Sequence, residues 1–328
     1  MNYSPYAGIG SQAKALKNIG ADFEHYRICE FDKYAVQSYN AVHGTEFETS
    51  DITKITADDL GIVDTDKWCY VMTYSFPCQD LSNAGLGKGM AKGSGTRSGL
   101  LWEVERLLDE LFDKGGQNAL PQVLLMENVP AVIGAKNIQH FAKWQEKLES
   151  LGYKNKWEVL NAKGYGIPQN RERCFMVSIL GDYFYDFPKK IPLKLRLKDM
   201  LEKEVDEKYI CGYHNGKEWV MKSKNQHLAN ILHKIDLTKT QSLDTYNQSI
   251  HTNYVQSILS RIGNRNEDYV FNEGIIRSYT ERECFSFMGF CKEDFEKASL
   301  ICPRSQLYKQ AGNSICVPVL EHIFRQML

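Results

Sequence analysis

Up to Pro188 the chain alternates short apolar runs with amphipathic segments, and this rhythm limits the fold more than any other feature. A run of roughly four to eight apolar residues reads as a buried strand, and a following segment with helical spacing reads as a helix laid against it. Repetition of that unit predicts the α/β class with a mostly parallel sheet. A first strand is expected over about residues 2–6, then the turn Gly8-Ile9-Gly10, then a helix with Ala13, Leu16 and Ile19 on one face. Residues 26–29, 69–76, 123–126 and 174–180 supply further strands. Residues 100–112 carry an aliphatic stripe and stop at Gly115-Gly116, a pair suited to a helix C-cap. Residues 140–151 repeat the pattern with Phe141, Trp144, Leu148 and Leu151, which are assigned to the core.

A chain of 328 residues, 43% of them hydrophobic, has room for one large domain and a smaller one. After Pro188 the rhythm fades, and the stretch to about residue 256 is polar and without a period, so a separate small domain is expected there. No stretch approaches the roughly 20 apolar residues that span a bilayer, and Met1-Asn2-Tyr3-Ser4-Pro5 lacks the features of a signal peptide. The expected location is a cytoplasm. Nine cysteines without paired C-x-x-C spacings argue for free thiols, with no disulfide framework and no metal. The net charge of −1 neither favours nor excludes a nucleic-acid partner, because counterion release depends on local basic patches. Lysine-rich stretches at 189–198 and 217–239 fit a phosphate-facing surface as well as a solvated one.

The chemistry-bearing residues sit at strand ends, where open α/β sheets place their ligands. Pro77-Cys78-Gln79 presents a thiol at the end of the run 69–76, and Glu127-Asn128-Val129 presents a carboxylate at the end of 123–126. A buried carboxylate there is costly without a purpose. Gln169-Asn170-Arg171-Glu172-Arg173 opens a third strand with two guanidinium groups. Between these motifs, residues 83–98 hold five glycines with Lys88, Lys92 and Arg97, a length of irregular chain that points to a functional loop.

Taken together and in this order, Ser75-Phe76-Pro77-Cys78-Gln79, Glu127-Asn128-Val129 and Gln169-x-Arg171-x-Arg173 resemble motifs of the DNA (cytosine-5)-methyltransferase family of bacterial and phage type. Tyr6-Ala7-Gly8-Ile9-Gly10 is similar to that family's cofactor loop, Arg277-Ser278-Tyr279-Thr280 to the motif that organises its recognition domain, and Gln310-Ala311-Gly312-Asn313-Ser314 to its closing motif. The resemblance spans nearly the whole chain. It implies a Rossmann-like S-adenosylmethionine-dependent methyltransferase domain over residues 1–188 plus 300–328, and a DNA target-recognition domain over 189–299. It further implies a monomer that acts on double-stranded DNA.

By the same resemblance Cys78 is the nucleophile, because a thiolate adds readily to carbon 6 of cytosine and can leave again. Glu127 would hydrogen-bond ring nitrogen 3 and the exocyclic amine, Arg173 the base's carbonyl oxygen, and Arg171 would brace the site or a phosphate. Gly8 and Gly10 would let the backbone approach S-adenosylmethionine, Tyr6 would stack on its adenine, and Glu30 would bind the ribose hydroxyls. Asp51, Asn313 and Ser314 would complete that pocket. The mobile loop, with Gln79, Ser82, Lys88, Lys92 and Arg97, would close over a cytosine flipped out of the duplex. In the recognition domain, Arg261 and Arg265 are suited to guanine, and Asn253 and Gln256 to adenine or phosphate. The stretch 75–102 looks most like mollicute methylases specific for CG, which makes a CG-containing site one candidate target.

Two alternatives stand beside this reading, one of another class and one that keeps the family but changes the substrate. Gly8-Ile9-Gly10-Ser11-Gln12-Ala13 also matches a dinucleotide fingerprint, which alone is weak and leaves Cys78, Glu127, Arg173 and Asn313 unexplained. A tRNA cytosine methyltransferase would share the motifs, but the long polar segment between Arg173 and Arg277 favours a DNA-reading domain.

Overall fold

The computed structural model describes the backbone of residues 2–5, and residues 7–76, 100–222, 225–260 and 268–327. The chain divides into two compact units, Met1–Leu160 with Glu172–Lys189 and Leu320–Leu328, and Asn161–Arg171 with Lys190–Val319.

The first unit is built on a six-stranded sheet: β1 (Asn2–Pro5), β2 (His25–Cys29), β3 (Val71–Tyr74), β4 (Val123–Asn128), β5 (Tyr153–Asn161) and β7 (Glu172–Leu180), in the order β2-β1-β3-β4-β7-β5. β1 runs parallel to both β2 and β3, and β3 parallel to β4. β7 is antiparallel to β4, pairing Glu127 with Phe175 and Asn128 with Cys174. Helices α1 (Ser11–Asn18), α2 (Lys33–His43), α3 (Ala57–Leu60), α4 (Leu101–Gly115) and α5 (Ile138–Ser150) complete the unit. The stripe of α4 buries Leu101, Val104, Leu107, Leu108 and Leu111 against Leu124 and Met126 of β4 and Phe141 and Leu148 of α5. Trp144 is fully buried, and its indole N–H donates to the Tyr74 hydroxyl at 3.0 Å, so the one polar atom of the ring is satisfied. It is a core residue, as its spacing predicts. β5 has no apolar run in sequence, because most of its side chains are half or fully exposed.

The second unit carries an antiparallel sheet in the order β11-β10-β13-β14-β8-β9, formed by β8 (Ile210–His214), β9 (Trp219–Met221), β10 (Gln241–Asp244), β11 (Ser249–His251), β13 (Asp268–Asn272) and β14 (Ile275–Ser278). Leu228, Ile231, Leu243, Tyr269, Phe271 and Ile276 make its small core. A two-stranded parallel ribbon joins β6 (Gln169–Asn170) to β12 (Val255–Gln256). Beside the sheet lie α6 (Gln226–Ala229), α7 (Glu281–Phe287), α8 (Lys292–Ser299) and α9 (Arg304–Asn313); α10 (Val317–Arg325) runs across the division between units.

The chain leaves the first unit after Lys189, and residues 161–171 and 300–319 cluster with the second. Residues 161–171 join the second unit because Gln169, fully buried, donates to the Phe287 carbonyl at 2.7 Å and accepts from the Ile258 amide at 3.0 Å. Residues 300–319 stay there because α9 is tied to it: Tyr308 donates to the Tyr279 carbonyl at 2.7 Å, and a side chain on Gly312 would meet the Ser260 amide at 2.2 Å. The chain returns to the first unit at Leu320.

Candidate active site

The carboxylate of Glu127 stands at the end of β4, 6% exposed, between two partners brought by neighbouring strands. Ser75 follows β3, and the parallel register that pairs Tyr74 with Met126 sets it beside Glu127; its hydroxyl donates to Glu127 Oε2 at 2.8 Å. On the other side, Phe175 is the cross-strand partner of Glu127, so Arg173, two residues earlier, shares that face and lies on the diagonal. Arg173 Nε approaches Glu127 Oε1 to 3.1 Å, and its Nη1 donates to the Glu172 carbonyl at 2.7 Å. Next along β4, Asn128 donates to the Phe76 carbonyl at 2.9 Å, holding the chain one residue before Pro77. Cys78 itself, with Gln79, Ser82, Lys88, Lys92 and Arg97, lies outside the described residues, as do Tyr6, Arg261 and Arg265.

The antiparallel setting of β7 is what assembles this group. A strand parallel to β4 would have put Arg173 at the opposite edge of the sheet from Glu127. Cys174, facing Asn128, is fully buried, and burial first, then Glu127, pushes its thiol up to about 12. It is a core residue and no rival nucleophile.

A second constellation forms where β1 and β2 end. Glu30 follows β2 and accepts from the Gly8 amide through Oε2 and from the Asp32 amide through Oε1, each at 3.0 Å. Burial raises its pKa above the ordinary value, while these backbone hydrogen bonds oppose the rise. Gly8 adopts φ +56°, and a side chain there would meet nothing within 4 Å, so open space adjoins the loop beside the carboxylate. Gly10, at φ +83°, differs: a side chain would strike His43 Nε2 at 2.2 Å and Tyr39 at 2.7 Å. The absence of a side chain at Gly10 makes room for α2. Phe31, adjacent to Glu30, is 78% exposed, an aromatic face the sequence reading passed over. Its signal was available, since an aromatic next to a strand-end carboxylate lies outside any core period.

Asp51 caps the short turn Ile52–Lys54, accepting from the Thr53 amide at 3.0 Å and hydroxyl at 2.8 Å, and these bonds hold its pKa below the usual value. Three predicted site residues belong to the second unit. Arg171, 4% exposed, donates to Ser257 Oγ and to the carbonyls of Ile258, Gly312 and Ser314 at 2.8–3.0 Å, so it braces the protein around it. Ser314 is buried, with its hydroxyl donating to the Gln310 carbonyl at 2.8 Å, while Asn313 is exposed at the end of α9. Arg277 and Glu283 form a buried bidentate pair at 2.8 and 2.6 Å beside the Thr280 capping box of α7, which gives the Arg277–Thr280 motif a folding role. Among the described residues the cysteines are free, no group of His, Cys, Asp and Glu is arranged to hold a metal, and no helix is long and apolar enough to cross a membrane.

The first unit thus has a parallel-centred sheet with a glycine turn after its first strand, a carboxylate after its second and a Glu–Arg pair across β4 and β7, and comparison with known proteins identifies its family. The family profile described as C-5 cytosine-specific DNA methylase matches residues 3–328, and the chain belongs to that family. Among curated relatives it is 38% identical over 256 residues to the type II methyltransferase M2.ScrFI of Lactococcus lactis subsp. cremoris, covering 78% of this chain and 65% of that protein. It is 36% identical over 292 residues to the orphan methyltransferase M.SssI of Spiroplasma monobiae (87% and 71%), and 33% over 326 residues to the type II methyltransferase M.NlaX of Neisseria lactamica (98% and 94%). Of solved structures, the S. pombe Dnmt2 methyltransferase superposes with a TM-score of 0.67 at 19% identity, covering 98% of this chain and 96% of that one. A putative DNA modification methyltransferase from an E. coli prophage does so with 0.67 at 17%, covering 99% and 97%. These structural matches show the shared fold. The dinucleotide alternative is set aside, and the family favours DNA over tRNA.

Proposed function

We propose that this chain methylates carbon 5 of a cytosine within a specific sequence of double-stranded DNA, using Cys78 as nucleophile and S-adenosylmethionine as methyl donor. The observation that supports it most is the buried Glu127 held between Ser75 and Arg173, with Ser75 three residues before Cys78 in sequence. The base must leave the stack to be reached, at a cost of a few kcal/mol. The Cys78 thiolate then adds to carbon 6, and the electrons of the 5,6 double bond make carbon 5 nucleophilic. Glu127 hydrogen-bonds nitrogen 3 and the exocyclic amine, where that added density spreads, and Arg173 orients both Glu127 and the base's carbonyl oxygen. After alkylation, loss of the carbon 5 proton and departure of the thiolate restore the double bond.

S-adenosylmethionine, when bound, supplies an electrophilic methyl group. The residues at the ends of β1 and β2 suit it. Glu30, fixed by two backbone amides, has acceptor capacity left for a ribose diol, Gly8 borders open space, and the exposed Phe31 offers an aromatic face for an adenine. The chain works in a bacterial or phage-infected cytoplasm as a monomer, with a CG-containing site as the first target to test. DNA carrying 5-fluorocytosine in the target site, with S-adenosylmethionine, should trap the protein in a denaturation-resistant complex, and Cys78→Ser should not be trapped. Equal trapping of both proteins would remove Cys78 from the mechanism. Bisulfite sequencing of DNA from cells expressing the chain would then read out the target.

A further inference from the structure

The ribbon of β6 and β12 has two unlike faces. Its register pairs Val255 with Gln169 and Gln256 with Asn170. Val255 and Gln169 are fully buried on one side, so the alternation of a strand turns Asn170 and Gln256 to the other, where both are half-buried. There the side chains form a directed relay. Asn170 Nδ2 donates to Gln256 Oε1 at 2.9 Å, and Gln256 Nε2 donates to His251 Nε2 at 2.8 Å. His251 stacks on Tyr254 with ring centroids 4.8 Å apart and planes 23° from parallel, and Lys163 Nζ sits 4.1 Å over the other ring of that stack, Tyr254.

Gln256 Nε2 can only donate, so His251 Nε2 accepts from it, and the same ring nitrogen lies 3.1 Å from Ser249 Oγ. His251 must be neutral at Nε2 to accept from the amide, and burial lowers its pKa, with Asp244 and Lys163 exerting opposite, smaller influences. The acceptor at His251 sets which edge of Gln256 is the donor, and Asn170 is set from two sides: its Nδ2 donates to Gln256 and its Oδ1 accepts from Asn161 Nδ2 at 2.9 Å. Together the two bonds use one lone pair of the Gln256 oxygen and one of its two N–H groups. What remains is one acceptor and one donor of fixed sense, the pair that matches the major-groove edge of adenine. A two-stranded ribbon is also of the size that groove admits.

We propose that the outer face of this ribbon, Asn170 and Gln256 oriented by His251, reads a base edge in the target site, and that Lys163, held over Tyr254, contacts an adjacent phosphate. His251 is a positioning residue: it reaches DNA only through the amide it orients. The inference rests on the DNA-methylating reading above and extends it to residues outside the catalytic strands.

The test uses the full chain, S-adenosylmethionine and a duplex library randomised around a cytosine, with methylated sequences read by bisulfite sequencing. Gln256→Glu keeps the shape but removes the donor, and should change preference at one base position by about tenfold to a hundredfold. His251→Leu should shift preference at that same position, and His251→Gln, which returns an acceptor near the place of Nε2, should restore it. Lys163→Ala should weaken all sequences alike and flatten the salt dependence. Because His251→Leu leaves both amides intact, either variant decides the matter if the other fails to fold. An active wild type whose base preferences are untouched by both Gln256→Glu and His251→Leu overturns the ribbon's role alone. A wild type that methylates no cytosine in the library overturns the reading of the chain and the ribbon's role with it.

Discussion

Arg173 meets Glu127 at 3.1 Å although the two belong to motifs far apart in sequence, because β7 enters the sheet antiparallel to β4 and so begins where β4 ends. The pair is poorly solvated, with side chains 17% and 8% exposed. Removing one partner strands the other, which is the expensive way to alter a buried pair. Arg173→Ala is therefore expected to lower stability by about 3 kcal/mol in urea denaturation. It should also reduce kcat by at least about a hundredfold, a loss of roughly 3 kcal/mol at the transition state. Arg173→Lys should recover part of the stability and little activity, since an ammonium cannot reproduce the planar fork. Full activity in Arg173→Lys would separate the ion pair from catalysis.

Ser75 gives the same carboxylate one hydroxyl hydrogen bond at 2.8 Å. Ser75→Ala should cost about 1 kcal/mol and lower kcat about fivefold while leaving S-adenosylmethionine affinity unchanged, as measured by single-turnover kinetics and calorimetry. A large loss of cofactor affinity instead would show that Ser75 serves the other constellation.

The two loop glycines should fail in different ways. Gly10→Ala collides with His43 and Tyr39, so it should destabilise the fold by about 2 kcal/mol or more, visible as a fall in Tm. Gly8→Ala meets open space and bears only the backbone strain of φ +56°, about 1 kcal/mol, yet should weaken S-adenosylmethionine binding more than Gly10→Ala does. The reverse ranking in calorimetry would move the cofactor away from Gly8.

Phe31 and Glu30 allow a test of the same pocket through pH. Phe31→Ala, exposed and outside any core, should leave Tm within about 1 kcal/mol of stability and weaken S-adenosylmethionine about tenfold or more. The Glu30 carboxylate has a raised pKa through burial, so cofactor affinity should fall as pH drops through that raised value, earlier than an ordinary glutamate would lose its charge. Glu30→Gln should abolish this part of the pH dependence. An unchanged profile in that variant would assign it to another group.

In the second unit Asp268 faces Asp244 directly across β13 and β10, and burial, followed by the Asp244 charge, lifts its pKa from 3.8 to about 7. The folded chain thus holds a proton that the unfolded chain releases, and between those values stability falls as pH rises. Asp268→Asn should raise Tm at pH 8 and change it little at pH 4. Equal effects at both pH values would show that the carboxyl is ionised in both states across the range.

Much of the first unit was legible because its signals are local. The stripe of α4, the core spacing around Trp144 and the strand-end positions of Glu127 and Glu30 all follow from periods of 2 and 3.6 residues read in place. The second unit was not legible, since its strands are only two to five residues long and their partners are remote, as with Ser242 and Val270 or Ile276 and Gly212. Arg171 and Arg173 show the limit most clearly. One motif, two residues apart, sends Arg173 to Glu127 in the first unit and Arg171 to the carbonyls of Gly312 and Ser314 in the second.

The sequence by itself determined the strand–helix order, the family and the residue types at each strand end, because those depend on neighbours along the chain. Tertiary structure alone decided that β7 runs antiparallel, that Gly10 yields its space to His43 and Tyr39, and that residues 161–171 and 300–319 join the second unit. Each of these depends on contacts between residues far apart in sequence, whose energies no local pattern encodes.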